Sequence, residues 1–206
     1  MTSEEILNLV QNKIHSVIVA TLDEEGLPVT CVIDMMLVDE GGLYFLTARG
    51  KEFYKRLMAK PVIALTGLKG ETTMTSVSVN LRGEVRNIGK ERLAEIFEKN
   101  PYMAEIYPTE TSRDALEFFL IYKGSGEYFD LSAKPIFRQR FSFGGEEALE
   151  HGYFIDISKC IECGKCNAVC PQGCITDSGK RKILSEHCLH CGRCMEACPA
   201  GAVFTT

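Results

Sequence analysis

The sequence predicts an α+β chain in two parts: an antiparallel β-barrel or sandwich with helical insertions, then a small unit organised by cysteine. Three observations carry this. Short runs rich in β-branched residues recur between Gly-containing turns through the first two thirds of the chain. Stretches with helical apolar spacing interrupt them near 3–14, 51–59 and 90–99. Of the ten cysteines, eight fall in two matching runs near the C-terminus. The chain has 206 residues, enough for two domains, and we expect a first domain at 1–143, a linker at 144–152 and a second domain at 153–206.

Residues 3–14 read as a helix, with Thr2 or Ser3 as cap and Glu5 in an acidic first turn. Its apolar face is Ile6, Leu9, Val10 and Ile14. His15–Thr21 and Leu27–Met36 are expected strands around the Asp23–Gly26 turn, and Leu43–Thr47 follows the Asp39–Gly42 turn. A short helix is expected at 51–59 and a strand from Pro61 to Thr66. Thr73–Ile88 reads as a long strand or bent pair. It sets Val77, Val79 and Leu81 on one face against Ser76, Ser78, Asn80 and Arg82 on the other. Gly83 fits a bulge or a close approach. Residues 90–99 are helical and end at Asn100-Pro101. Residues 101–113 are expected to be irregular or to form short helical turns. Ala115–Lys123 and Glu127–Leu131 are expected to form a hairpin around Gly124-Ser125-Gly126. The Phe141–Gly145 stretch and the acidic residues after it form the boundary, and Tyr153–Asp156 opens the second unit as a strand.

The cysteines read Cys160, Cys163, Cys166, Cys170 and again Cys188, Cys191, Cys194, Cys198. Each run is C-x2-C-x2-C-x3-C-P, and Gly164, Lys165, Pro171 and Gly173 answer Gly192, Arg193, Pro199 and Gly201. This is the spacing that holds two [4Fe-4S] clusters. Three close cysteines wrap one face of a cubane, and the fourth crosses to the other cluster. The expected sets are therefore Cys160, Cys163, Cys166 with Cys198, and Cys188, Cys191, Cys194 with Cys170. The glycines let backbone N–H groups approach the sulfurs. Structural zinc has no need of four cysteines per run plus a proline. A disulfide framework suits small secreted chains, and nothing here reads as secreted. The unit resembles the bacterial dicluster ferredoxins over roughly its last 50 residues. Cys174 departs from the repeat, where its counterpart is Ala202, and reads as packing rather than as a ninth ligand.

The first part resembles the pyridoxamine 5′-phosphate oxidase-like FMN-binding split barrels. Val17–Val85 carries the resemblance, above all Thr47-Ala48-Arg49-Gly50-Lys51 before a short helix and Lys60-Pro61 before the next strand. The residues also make chemical sense alone: Arg49 and Lys51 at a helix start suit the FMN phosphate, with Thr47 offering a hydroxyl. The bland reading is a solvated turn. The resemblance implies that backbone groups of Val29, Thr30, Cys31 and Val32 line the flavin ring. It also implies a homodimer with FMN between protomers. Ser76, Ser78 and Asn80 then either approach the flavin from the partner subunit or simply face solvent. Cys31 reads as a small buried residue, not a redox thiol. The family's late arginine and histidine substrate contacts have no match, so pyridoxamine phosphate oxidation is not expected.

Net charge is −5, without a basic block, which argues against nucleic-acid binding. No run reaches the 18 or so apolar residues of a membrane span. The acidic N-terminus is unlike a signal peptide, and cluster thiolates need a reducing setting, so a cytoplasmic and anaerobic or microaerobic protein is expected. There is no Ser-His-Asp set, GxxxxGK[ST] loop or GxGxxG fingerprint. Three functions stay open: an FMN-dependent oxidoreductase fed through two [4Fe-4S] clusters by a low-potential donor such as ferredoxin, with an organic acceptor; an electron carrier between redox partners; and a ligand-binding or redox-sensing module. Catalytic residues are not assigned.

Overall fold

In the computed structural model, residues 1–148, 151–177 and 181–206 are described; positions 149–150 of the expected linker lie outside them. The chain divides into two units. One comprises Met1–Lys69, Ser78–Tyr128 and Phe141–Ala148, the other Gly70–Val77, Phe129–Arg140 and Leu149–Thr206.

The first unit starts with α1 (Ser3–Leu9), which runs on as a π-helical turn over Val10–Ile14. Thr2 and Glu5 close a reciprocal capping box, satisfying two backbone donors that a helix start leaves open. Leu7, rather than the expected Leu9, joins Ile6 and Val10 in the core. Then come β1 (Ser16–Leu22), β2 (Pro28–Asp34), β3 (Leu37–Asp39), β4 (Gly42–Ala48), α2 (Glu52–Ala59), β5 (Val62–Lys69) and β6 (Val77–Gly89). The helices α3 (Leu93–Lys99), α4 (Met103–Ile106) and α5 (Glu110–Arg113) lead into β7 (Leu116–Asp130) and β8 (Phe137–Phe143). Sheet order is β2-β1-β5-β6-β7-β4-β3, with β8 also on β7. β1 is antiparallel to β2 and β5, and β4 to β3 and β7.

β4 is buried on both faces. Phe45 stacks on Phe119 of β7 at 5.6 Å and leans on Phe53 of α2. On the opposite face Tyr44 and Leu46 pack with Leu116, Phe118, Ile96 and Met103, so α3 and α4 cover that side. Phe45 and Phe118 are fully buried, and removing either ring would cost about 3–5 kcal/mol.

Two expectations are corrected. No strand is expected at 37–39, beside the Asp39–Gly42 turn; these three residues form β3, a tight antiparallel partner of β4. The expected hairpin at Gly124–Gly126 is instead the middle of one 15-residue strand. These glycines serve close approach, not reversal: a Cβ on Gly124 would sit 2.6 Å from Arg82 O, and one on Gly126 2.2 Å from Asn80 O. β6 passes too near for side chains there. The chain reverses later, in the segment between β7 and β8.

In the second unit β9 (Tyr153–Ile155) pairs antiparallel with β10 (Val203–Thr205). Between them lie α6 (Lys165–Ala168) and α7 (Arg193–Glu196). The repeat is copied in the backbone. Glu162 and His190 share a left-handed φ of 54° and 56°, and Gly164 and Gly192 share 75° and 79°. The unit also takes in 129–140: His187 Nδ1 lies 2.8 Å from Ile136 O, and the Arg138 guanidinium sits over the Phe129 ring.

Candidate functional site

The eight repeat cysteines divide between two cavities of equal size. One is lined by Cys160, Cys163, Cys166 and Cys198, the other by Cys170, Cys188, Cys191 and Cys194. Each short run bends its first three cysteines around one cavity through the left-handed turns at 162–164 and 190–192. The fourth lies past a four-residue helix and faces the other cavity. No cysteine is in a disulfide.

The surroundings suit thiolates. Cys198 Sγ accepts the Ala202 N–H at 3.3 Å. Burial raises that thiol, but the N–H groups of Ala202, Ala200, Val203 and Gly201 outweigh it and hold Cys198 below its usual range. Cys188 is pulled down, to about 6, first by the Cys174 thiol; burial opposes this, and the His190 N–H and the Arg138 charge assist it. Burial raises Cys166 and Cys194, a cost that a cationic iron site would offset. Among the described residues no three His, Cys, Asp or Glu side chains converge on a single-ion site. A cubane fits better, because it spreads its four sulfur ligands around a much larger body. Four cysteines per cavity, with N–H donors at the sulfurs, match that cluster in donor number and chemistry.

The expected flavin residues lie in three places. Val29, Thr30, Cys31 and Val32 are on β2, the sheet edge, with alternating exposure. Thr47 and Ala48 end β4, and Lys51 caps α2 with its side chain exposed. Thr47 is 2% exposed, and its Oγ1 has no hydrogen-bond partner among the described residues. Such an orphaned hydroxyl fits a ligand oxygen. Arg49 turns away: its guanidinium meets Glu117 at 3.3 Å and Asp114 at 3.4 Å. Ser78 is half-buried and Asn80 exposed, and Asn80 is bonded to Thr66 at 2.8 Å.

Arg56 is a candidate that sequence reasoning missed. It lies one turn into α2 and donates through Nε to Thr21 Oγ1 at 2.8 Å. Burial raises the Cys31 thiol, while Arg56 and then Lys51 draw it down. Both cations therefore lie near β2, and neither is in an ion pair with a carboxylate among the described residues. No local spacing marked Arg56, because Thr21, which fixes it, is remote in sequence. Unpaired cations, an orphaned hydroxyl and a helix start together fit a phosphate group.

Comparisons with known proteins agree with this division. Residues 153–199 match the family described as 4Fe-4S dicluster domain. Residues 2–121 match that described as pyridoxamine 5′-phosphate oxidase. A pyridoxine/pyridoxamine 5′-phosphate oxidase of Mycolicibacterium gilvum is 31% identical over 87 residues, which is 42% of this chain and 38% of that protein; the chain thus matches well under half the length of this relative. Two solved structures from Clostridium acetobutylicum share the fold. A NimC/NimA family protein has a TM-score of 0.54 at 20% identity, covering 68% of this chain and 88% of its own. A protein related to general stress protein 26 has a TM-score of 0.50 at 16% identity, covering 68% and 95%. The fold is thus an antiparallel split barrel followed in sequence by a small dicluster unit, and an oxidase-type barrel in one chain with a 4Fe-4S domain suggests a redox role. With its barrel matched over more than half of its length, the chain belongs to the pyridoxamine 5′-phosphate oxidase family and carries a C-terminal 4Fe-4S dicluster domain.

Proposed function

We propose that this protein is an FMN- and iron–sulfur-dependent oxidoreductase, taking electrons from a low-potential donor such as ferredoxin and delivering them to a small organic acceptor. The observation that carries this is the four-and-four division of the repeat cysteines, in one chain with a barrel of an oxidase family. When bound, clusters exchange single electrons and a flavin one or two, so the pair joins a one-electron donor to a two-electron acceptor. The chain's part is to hold and tune these groups. Cys160, Cys163, Cys166 and Cys198 would hold one cluster, and Cys188, Cys191, Cys194 and Cys170 the other. Lys51, Arg56 and Thr47 would hold the flavin phosphate, with Val29–Val32 along the ring. Arg49 would act indirectly, by bracing the start of α2 against β7.

The same reading includes a homodimer. Val32 pairs with Ile18, Ile18 with Thr66, and Thr66 bonds Asn80. This row crosses four strands, and Val32 and Ile18 are 66% and 52% exposed. The exposed apolar pair at one end of this row supports burial against a second copy; a monomer in sedimentation equilibrium would overturn it. No described helix is long and apolar enough to cross a membrane. A reducing, anaerobic cytoplasm is the setting the thiolates call for.

The test is cofactor content after anaerobic purification. About eight irons and one FMN per chain are expected for two cubanes and a flavin site. Eight irons without flavin would remove the flavoenzyme and leave the electron-carrier and the ligand-binding or redox-sensing readings.

A further inference from the structure

We propose that Cys174 is a positioning residue for one of the two cluster sites, its Sγ–H held as a hydrogen-bond donor to the sulfur of Cys170. This rests on the reading that both cavities hold clusters. Cys174 is 3% exposed, and its Sγ lies 3.5 Å from Cys170 Sγ. It lines the same cavity as Cys170, Cys188, Cys191 and Cys194, within a cluster that includes buried Ile175 and Ile183. The four ligand positions of that site are filled without it. A cysteine that is not a ligand is a thiol at neutral pH, so Cys174 carries a proton and Cys170 accepts it.

The other half of the repeat provides an internal control. There the same position is Ala202, 1% exposed. Both sites receive a backbone donor, from His190 to Cys188 and from Ala202 to Cys198, each at 3.3 Å. Only one receives a side-chain donor from this position. If the position needed filling alone, the alanine of the twin site would serve. Hydrogen bonds to ligand sulfurs stabilise the added negative charge of a reduced cluster and raise its potential. The donor therefore raises the potential of the Cys170 site above what that site would have without it.

The test uses the full chain loaded anaerobically with iron and sulfide. Iron and sulfide per chain are counted first, and each reduced-cluster EPR signal is then titrated. Cys174→Ala is expected to move the reduced-to-oxidised ratio of one signal about tenfold toward oxidised, equivalent to about 59 mV for one electron. The other signal stays put. Cys174→Ser, which keeps a donor, stays near wild type, and Ala202→Cys shifts the second signal toward reduced. Unmoved signals in loaded Cys174→Ala, or equal shifts in the Ala and Ser variants, overturn the proposal. Should Cys174→Ala load one cluster only, Ala202→Cys decides: a shift toward reduced supports the donor, and no shift overturns it. Wild-type protein that takes up no iron overturns the cluster reading itself, a separate result seen at the counting step.

Discussion

The two candidate sites are assembled in opposite ways. In the C-terminal unit, each cavity draws three cysteines from one seven-residue run and a fourth from its repeat. In the barrel, the candidate flavin site draws on β2, the end of β4 and α2, and a threonine of β1 orients Arg56. A site built from local spacing tolerates little substitution, because every position is a ligand. A site built from separate elements shares its work among several weaker contacts. The consequences of single changes should differ accordingly.

The largest effect is expected in the cysteine unit. Cys163→Ala removes one of four ligands from one cavity, so about half the iron is lost while bound flavin is unchanged. Iron, sulfide and flavin counts on one sample check this. Loss of flavin together with iron would mean the two sites are not independent, and the contrast drawn above would fail.

A smaller effect is expected at the flavin phosphate. Lys51→Ala and Arg56→Ala should each weaken FMN about tenfold, the scale of one charged hydrogen bond, with iron unchanged. Arg49→Ala should weaken it less, since Glu117 and Asp114 already engage that guanidinium. Fluorescence titration of the flavin-free protein with FMN gives the ranking. If Arg49 proved the strongest and Lys51 silent, the phosphate would sit on the β7 side of α2.

The same contrast governs what could be read in advance. The cysteine sets were legible because ligation needs fixed spacing along the chain. The strands and α2 were legible from apolar period. The hairpin at Gly124–Gly126 was misread because glycine marks both reversal and close packing, and only β6, some 40 residues earlier, decides between them. The short β3 had too few residues to signal against its turn. Arg49 looked available because Glu117 lies 68 residues away. Arg56 was overlooked because Thr21, which orients it, lies 35 residues away. Neither pairing leaves any trace in local pattern.

The smallest effect concerns a distant polar set in the barrel. Glu117 is 17% exposed. It accepts from Tyr54 and Asn87 at 2.6 Å each, from residues 63 and 30 positions away. Those two bonds hold its acid below the usual range; burial opposes them and Arg49 assists. A folded-state acid that is depressed stabilises the fold above its unfolded value, near 4.3. That contribution is lost as pH falls through the lower folded value. Glu117→Gln should therefore cost about 1 kcal/mol at neutral pH, and the gap to wild type should close in strong acid. Urea midpoints at both pH values measure it. A gap that stayed constant would mean Glu117 works through hydrogen-bond shape alone. The barrel's long-range polar contacts would then hold geometry without holding charge, and Arg49 would be freer to serve a ligand than its ion pairs suggest.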